Sequence, residues 1–297
     1  MSLQRHQTKA STMTERPVRP RRSFIFSPGL KPEMFPKALA SGTDIVCVEL
    51  EDGIAPKDKE AARANALKLF ETPQADDDVE RIVRINCLRE AFGIADIQAI
   101  LATDTPPPAL MVPKVRAPDE IVLLDDLLTE RGHETRLHII IETNAGLEAA
   151  YEIAHCSARI DALFFGGVDM AAELRCENAW EPLLYARSRV VHAAASAGLD
   201  VIDVPYLDLD DHQGMVVAAQ QAKALGFSGK GSIHPKQIAA LNDVFTPSEA
   251  EITRARRIIA TFEDADTGLV VVDGKLIEKP VLRDMYRVIA IADRIGC

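Results

Sequence analysis

Carboxylates and cations recur in this sequence at the ends of short apolar runs, and their types suit metal-assisted chemistry on an oxygenated substrate. Glu142 closes the run HIIIE and Asp169 follows FFGGV. Two such carboxylates can each give one oxygen to Mg²⁺, with Mn²⁺ as the alternative ion, leaving other positions to water and substrate. Glu51 and Asp52, at the end of IVCVELED, could hold those waters. Arg84 stands between Val83 and Ile85 in RIVRIN. Its donors suit an enolate or carboxylate oxygen, and it could equally pair with Glu49 or Glu51. Lys114, in LMVPKV, can form a Schiff base with a carbonyl substrate or a plain ion pair. His234, before Pro235, can carry a proton, contact substrate or sit satisfied in the core. Asp52 and Asp169 could instead be helix N-caps.

Something must bring these residues together. After residue 20, β-rich runs alternate with helical stretches. Strands are predicted at 23–27, 45–51, 81–86, 110–115, 138–143, 162–166, 201–205 and 230–234. Most are continuously apolar, as in parallel strands buried on both faces. Helices are predicted at 33–41, 58–70, 119–131, 146–154, 183–197 and 211–225, several stopped by a glycine such as Gly42, Gly198 or Gly226. Eight strand–helix repeats predict an α/β fold closed into a (β/α)₈ TIM barrel. An open doubly wound sheet is the rival, but no glycine fingerprint follows the first strand. Barrel active sites form at the C-terminal strand ends, where these carboxylates and cations fall.

The segment from Thr246 onward exceeds what a barrel needs. Thr246 is predicted to cap a long helix, with Pro247 at its first position and Glu249 at its third. A β-hairpin turning at Asp273-Gly274 should follow, then an amphipathic helix over 281–295. The expected division is a tail over 1–20, a catalytic barrel over 21–245 and an extension over 246–297 that packs on a neighbouring subunit.

The chain of 297 residues carries a net charge of -11, which argues against a nucleic-acid partner. Its five cysteines have no metal-ligand spacing and read as reduced thiols, consistent with a cytoplasmic protein. No apolar run is long enough to span a membrane. The basic residues Arg5, Lys9, Arg16 and Arg19 precede no apolar stretch of the secretory kind.

The opening RRSFIFSPGLKPEMFPKALASGTDIVCVELEDGIAPKDKEAAR, followed in order by IVRIN, LMVPKV, IIETNAG, FFGGVDMAAEL, GKGSIHPKQI and TPSEAEITRA, resembles the citrate lyase beta-subunit-like family of the HpcH/HpaI aldolase group. The resemblance covers residues 21–297. It implies a TIM barrel, assembled as a homotrimer or hexamer, whose C-terminal segment swaps onto a neighbour. It implies a Mg²⁺-dependent carbon–carbon lyase acting on a 3-hydroxyacyl-CoA such as malyl-CoA or citramalyl-CoA. CoA would then be part of the substrate, and an acyl-CoA and a 2-oxo acid the products. By position it implies Glu142 and Asp169 as metal ligands, and Arg84 facing the thioester enolate. Phe26, Lys31, Lys37, Val168, Ile233 and His234 would line the substrate and CoA site. Lys31 stands where related malyl-CoA lyases commonly have arginine. Glu278, in GKLIEKP, stands where many carry an acid/base aspartate that reaches into the next subunit's site. The alternatives are a citryl-carrier lyase subunit dependent on a carrier protein, a CoA-independent 2-oxo acid aldolase, an acyl-CoA thioesterase and a catalytically silent subunit.

Overall fold

The computed structural model describes residues 18–75, 77–265 and 268–297; most of the predicted tail lies outside them. Eight parallel strands close a barrel in sequence order. They are β1 (Ser23–Pro28), β2 (Ile45–Glu49), β3 (Glu80–Arg84), β4 (Ala109–Val112), β5 (Arg136–Ile141), β6 (Ile160–Phe165), β7 (Asp200–Asp203) and β8 (Gly229–Ser232). The predicted TIM barrel is the fold observed.

The helices around it are α1 (Phe35–Leu39), α2 (Lys59–Lys68), α3 (Ala91–Ala102), α4 (Pro118–Glu130), α5 (Asn144–Glu148), α6 (Ala150–His155), α7 (Gly167–Leu174), α8 (Leu184–Ser196), α9 (His212–Leu225) and α10 (Ile238–Phe245). Three of these, α3, α7 and α10, lie outside the helices predicted from sequence. In α3 the run AFGIADIQAILA has few polar positions to mark a stripe, and no side chain caps its start. Alternate strand residues divide the core in two. Phe24, Cys47, Ile82, Met111, Ile140, Phe164 and Ile202 fill the barrel. Ile25, Val46, Val83, Leu110, Ile139 and Val201 pack outward under the helices. This two-faced burial is why the runs show no polar alternation.

The N-terminal end of the barrel is sealed by charge. Arg21 donates from Nε and Nη2 to Glu80 at 2.5 and 2.7 Å and from Nη1 to Asp200 at 2.5 Å. A register shift between Leu137 and His138 leaves Asp161 without a ladder partner, and its carboxylate takes Arg136 at 2.5 Å. Glu80, His138 and Asp161 place ligand-type atoms within 4.8 Å of one another, but the two arginines already hold both carboxylates. This end is a structural ion network. Arg21→Met would leave half-buried Glu80 and buried Asp200 without that cation. The expected loss is about 3–5 kcal/mol, read as a lower urea midpoint with kcat per folded molecule unchanged.

The second compact unit contains Pro247–Cys297. Its first helix, α11 (Glu249–Glu263), is capped by Ser248, which forms a capping box with Glu251. The predicted cap at Thr246 is therefore corrected by two residues: Ser248, not Thr246, has its hydroxyl in reach of the third helical N–H. The hairpin follows as β9 (Leu269–Val272) and β10 (Lys275–Glu278), then α12 (Val281–Ile295). Asp273 and Gly274 have φ of +53° and +72°, the left-handed pair that a two-residue hairpin turn requires. Ile258, Phe262, Val270, Val272 and Ile277 form this unit's own core. No helix among the described residues is long and apolar enough to cross a membrane.

Candidate active site at the barrel mouth

The strands stop pairing earlier than the apolar runs suggest. β2 ends at Glu49, β4 at Val112 and β5 at Ile141, so Glu51, Asp52, Lys114 and Glu142 lie in the turns just beyond. Asp169 is not on a strand; it occupies the third position of α7. A carboxylate there is favoured by the helix dipole. Neither Asp52 nor Asp169 caps a helix: Ala55 and Gly166 occupy the nearest N-cap positions.

A cavity of about 250 Å³ opens at this end, lined among others by Phe26, Asp52, Arg84, Glu142, Val168, Asp169 and Ile233. These are seven of the residues singled out from sequence. Glu142 is the most deeply buried carboxylate of the lining but one, 3% exposed. Its Oε1 accepts the backbone N–H of Lys114 at 2.8 Å. Burial, then the neighbouring charges of Asp169 and Glu51, push its pKa up to about 8. A Cβ on Gly166 would fall 2.2 Å from Glu142 Oε2, so only glycine lets the carboxylate lie against the end of β6. Asp169 is also raised, by burial first, against the opposing pull of Lys114 and Arg84.

Asp52 lines the same cavity, whereas Glu51 is buried beside it and outside the lining. Lys114 Nζ donates to Glu51 Oε1 at 2.5 Å and to Asp52 at 3.0 and 3.2 Å. Burial raises the proton affinity of Glu51, with Arg84 and Lys114 opposing. Burial pushes Asp52 up, but the hydrogen bond and charge of Lys114, with Arg84 and Glu51, together outweigh it and hold the carboxyl below its ordinary value. Lys114 is itself held above the ordinary lysine range: burial opposes its charge, but Glu51 and Asp52 outweigh it. A Schiff-base lysine must present a neutral amine, so this geometry favours the ion-pair reading. Lys114 has φ of +54°, an uncommon left-handed backbone for a side-chain-bearing residue. That conformation accompanies two contacts at once, its N–H to Glu142 and its ammonium to Glu51 and Asp52.

Arg84 Nε donates to Glu49 Oε2 at 2.5 Å, and Nη1 lies 3.3 Å from Glu51 Oε2. Its guanidinium stacks over Phe26, 4.5 Å from the ring centroid. Both pairings weighed from sequence therefore occur together. Glu49 is fully engaged, its other oxygen accepting the N–H groups of Glu51 and Gly53 at 2.7 and 3.3 Å.

The remaining expected residues fall elsewhere. Lys31 and Lys37 are exposed and outside the cavity lining. His234 is also exposed, which corrects the core reading. Its Nδ1 accepts the N–H of Lys236 at 3.1 Å, capping a short 3₁₀ turn. Glu278 is exposed in β10, within the second unit. The apolar wall of Val204, Pro205 and Leu207 was not predicted from sequence, because it follows a strand but carries no polar signal. Nor was Lys59.

The closed barrel and its mouth define a TIM-barrel enzyme. The family model described as HpcH/HpaI aldolase/citrate lyase matches residues 22–235, and the chain belongs to this family, as its motifs led us to expect. It is a carbon–carbon lyase. Citrate lyase subunit beta of Escherichia coli is 31% identical, over 97% of this chain and 98% of that one. The L-malyl-CoA/beta-methylmalyl-CoA lyase of Cereibacter sphaeroides is 32% identical, over 94% of this chain and 97% of that one. Among solved structures, CitE of Mycobacterium tuberculosis in complex with magnesium, acetoacetate and coenzyme A superposes with a TM-score of 0.75 at 28% identity, covering 94% of this chain and 99% of that one. RipC from Yersinia pestis gives a TM-score of 0.69 at 36% identity, covering 78% of this chain and 97% of that one.

Proposed function

We propose that this lyase cleaves a 3-hydroxyacyl-CoA such as malyl-CoA or citramalyl-CoA into an acyl-CoA and a 2-oxo acid, or joins them in the reverse Claisen condensation. The observation that carries the reading is Glu142: a buried carboxylate beside Asp169, in no ion pair among the described residues, on a cavity that also holds Arg84. A buried charge of this kind is normally paired or metal-bound. Glu142 and Asp169 would hold Mg²⁺, and the magnesium-bound relative supports that choice. When bound, the cation supplies Lewis-acid polarisation of the substrate's carboxylate and hydroxyl oxygens.

The chain's own residues divide the remaining work. Glu51, with its proton affinity raised by burial, accepts the substrate's hydroxyl proton. Asp52 and Lys114 hold it in place. Arg84 is fixed by Glu49 behind and Phe26 beneath, so its Nη groups meet the negative charge that develops on the thioester oxygen. Val168 and Ile233 border the acyl end. Lys31, Lys37 and His234 suit the CoA moiety, each as a single-point contact. In a homotrimer or hexamer, the C-terminal unit of a neighbouring copy would bring Glu278 to protonate the enolate carbon.

A panel of CoA thioesters, assayed with Mg²⁺ and with chelator, tests this while reading 2-oxo acid and free thiol separately. The expected result is Mg²⁺-dependent 2-oxo acid release without thiol. Thiol release would indicate a thioesterase. Chelator-resistant turnover with borohydride trapping of Lys114 would overturn the metal assignment. A second reading, the citryl-carrier lyase subunit, is supported by the similarity to citrate lyase subunit beta; turnover of free CoA esters would exclude carrier dependence.

A further inference from the structure

Lys59 is the first residue of α2 and is 7% exposed. Both facts run against expectation. Lysine is almost never fully buried unless paired, and a cation at a helix N-terminus is opposed by the helix dipole. The ammonium is nevertheless saturated: it donates to the backbone carbonyls of Leu50 at 2.9 Å and Glu51 at 2.6 Å, and to Asn86 Oδ1 at 2.5 Å. Asn86 is held in turn. Its Nδ2 and backbone N–H donate to Asp96 Oδ2 at 2.7 and 2.8 Å, and Arg63 Nε holds Asp96 Oδ1 at 2.6 Å. The relay from Arg63 through Asp96 and Asn86 ends on the two carbonyls of the turn that presents Glu51 and Asp52. The Glu51 carbonyl also accepts the N–H of Ile54 at 2.9 Å, so the ammonium joins a contact that already folds this turn.

We infer that Lys59 is a positioning residue for the Glu51–Asp52 turn, acting through the backbone and not on substrate. It rests on the reading of the mouth as the catalytic centre. A grip on two consecutive carbonyls, anchored by Asn86 Oδ1, fixes the direction of both carboxylates, and hence where the Lys114 ammonium sits between them. A displacement near 1 Å at such a centre can cost about 10²-fold in rate.

The test compares Lys59→Met with Lys59→Arg by hydrogen exchange across the whole chain, with kcat and KM measured separately. For K59M, amide exchange over residues 51–58 is expected to rise about tenfold, the scale of one lost hydrogen-bond cluster in a locally opening segment. The amides of β5 and α7 should be unchanged. kcat should fall roughly 10–100-fold with KM within about threefold, and K59R, which can still donate to the carbonyls, should recover most of both. Wild-type exchange over 51–58 in K59M would overturn the inference. So would acceleration spread evenly over the barrel, which marks general destabilisation, or an unchanged kcat. Should K59M fail to fold, Asn86→Ala removes one acceptor and keeps the lysine; unaltered exchange over 51–58 in that variant would equally overturn it. The exchange measurement needs no substrate. If the wild-type protein turns over no CoA ester, the functional reading falls while the clamp is still decided.

Discussion

Glu142→Gln is expected to abolish turnover and, in the metal-free protein, to raise stability at alkaline pH. The two effects have one cause. The folded protein holds the Glu142 proton up to about pH 8, against an ordinary value of 4.5. This is the reverse of the usual carboxylate case. Below pH 4.5 the group is protonated whether folded or unfolded and contributes nothing to pH dependence. Between 4.5 and 8 the unfolded chain releases the proton and the folded chain keeps it, so stability falls as pH rises. Over about 3.5 pH units at ~1.4 kcal/mol each, the loss reaches at most about 5 kcal/mol. Glutamine cannot ionise and removes the penalty. Urea denaturation from pH 5 to 8.5 in chelator should show a falling midpoint for wild type and a flatter one for E142Q. Mg²⁺ should flatten the wild-type profile, because a cation neutralises the carboxylate instead of a proton. The kcat of E142Q should drop by at least about 10³-fold, the scale of losing a principal electrostatic contribution to the transition state. A flat wild-type profile without metal, or an active E142Q, would contradict the assignment.

Arg84→Met should be nearly as severe for a different reason. The guanidinium holds Glu49 at 2.5 Å and lies 3.3 Å from Glu51, and both carboxylates are buried. Removing it leaves them facing each other without that cation, at a cost of about 3–5 kcal/mol. The donors proposed to meet the thioester oxygen are lost as well, for about 10²–10³-fold in kcat. Arg84→Lys separates the two effects. An ammonium can keep the charge and most of the stability, but it cannot match the planar stack on Phe26 or the forked donor geometry. Denaturation midpoints should therefore recover in R84K while kcat stays roughly 10²-fold down. Wild-type kcat in R84K would show that charge alone suffices.

Much of this was legible in the chain. Continuous apolar runs located most of the eight strands, because a parallel barrel buries both faces and erases alternation; β8, with the sequence GKGS, carries no such run. The Asp273-Gly274 turn and the helix over 281–295 were readable because turn chemistry and amphipathic period are local. The order of polar residues after each run placed Arg84, Glu142 and Asp169 on one rim, and the motifs gave the family.

Which charge meets which was not legible. Arg84 and Glu49 are 35 positions apart, and Lys114 and Glu51 are 63 apart. Periodicity assigns a residue to a face but says nothing of its partner around the ring. Only closure of the barrel pairs them. It leaves Glu49 engaged and Glu142 in no ion pair among the described residues, and it is this remainder on which the proposed metal site rests. The same closure exposed His234 and buried Lys59, whose three acceptors come from two different strand ends. The sequence by itself determined the barrel, the rim and the residue types available to chemistry. The tertiary structure alone decided which of those charges are spent on one another and which remain for substrate, because burial and neighbouring charge, both set by packing, govern the protonation of every group at the mouth.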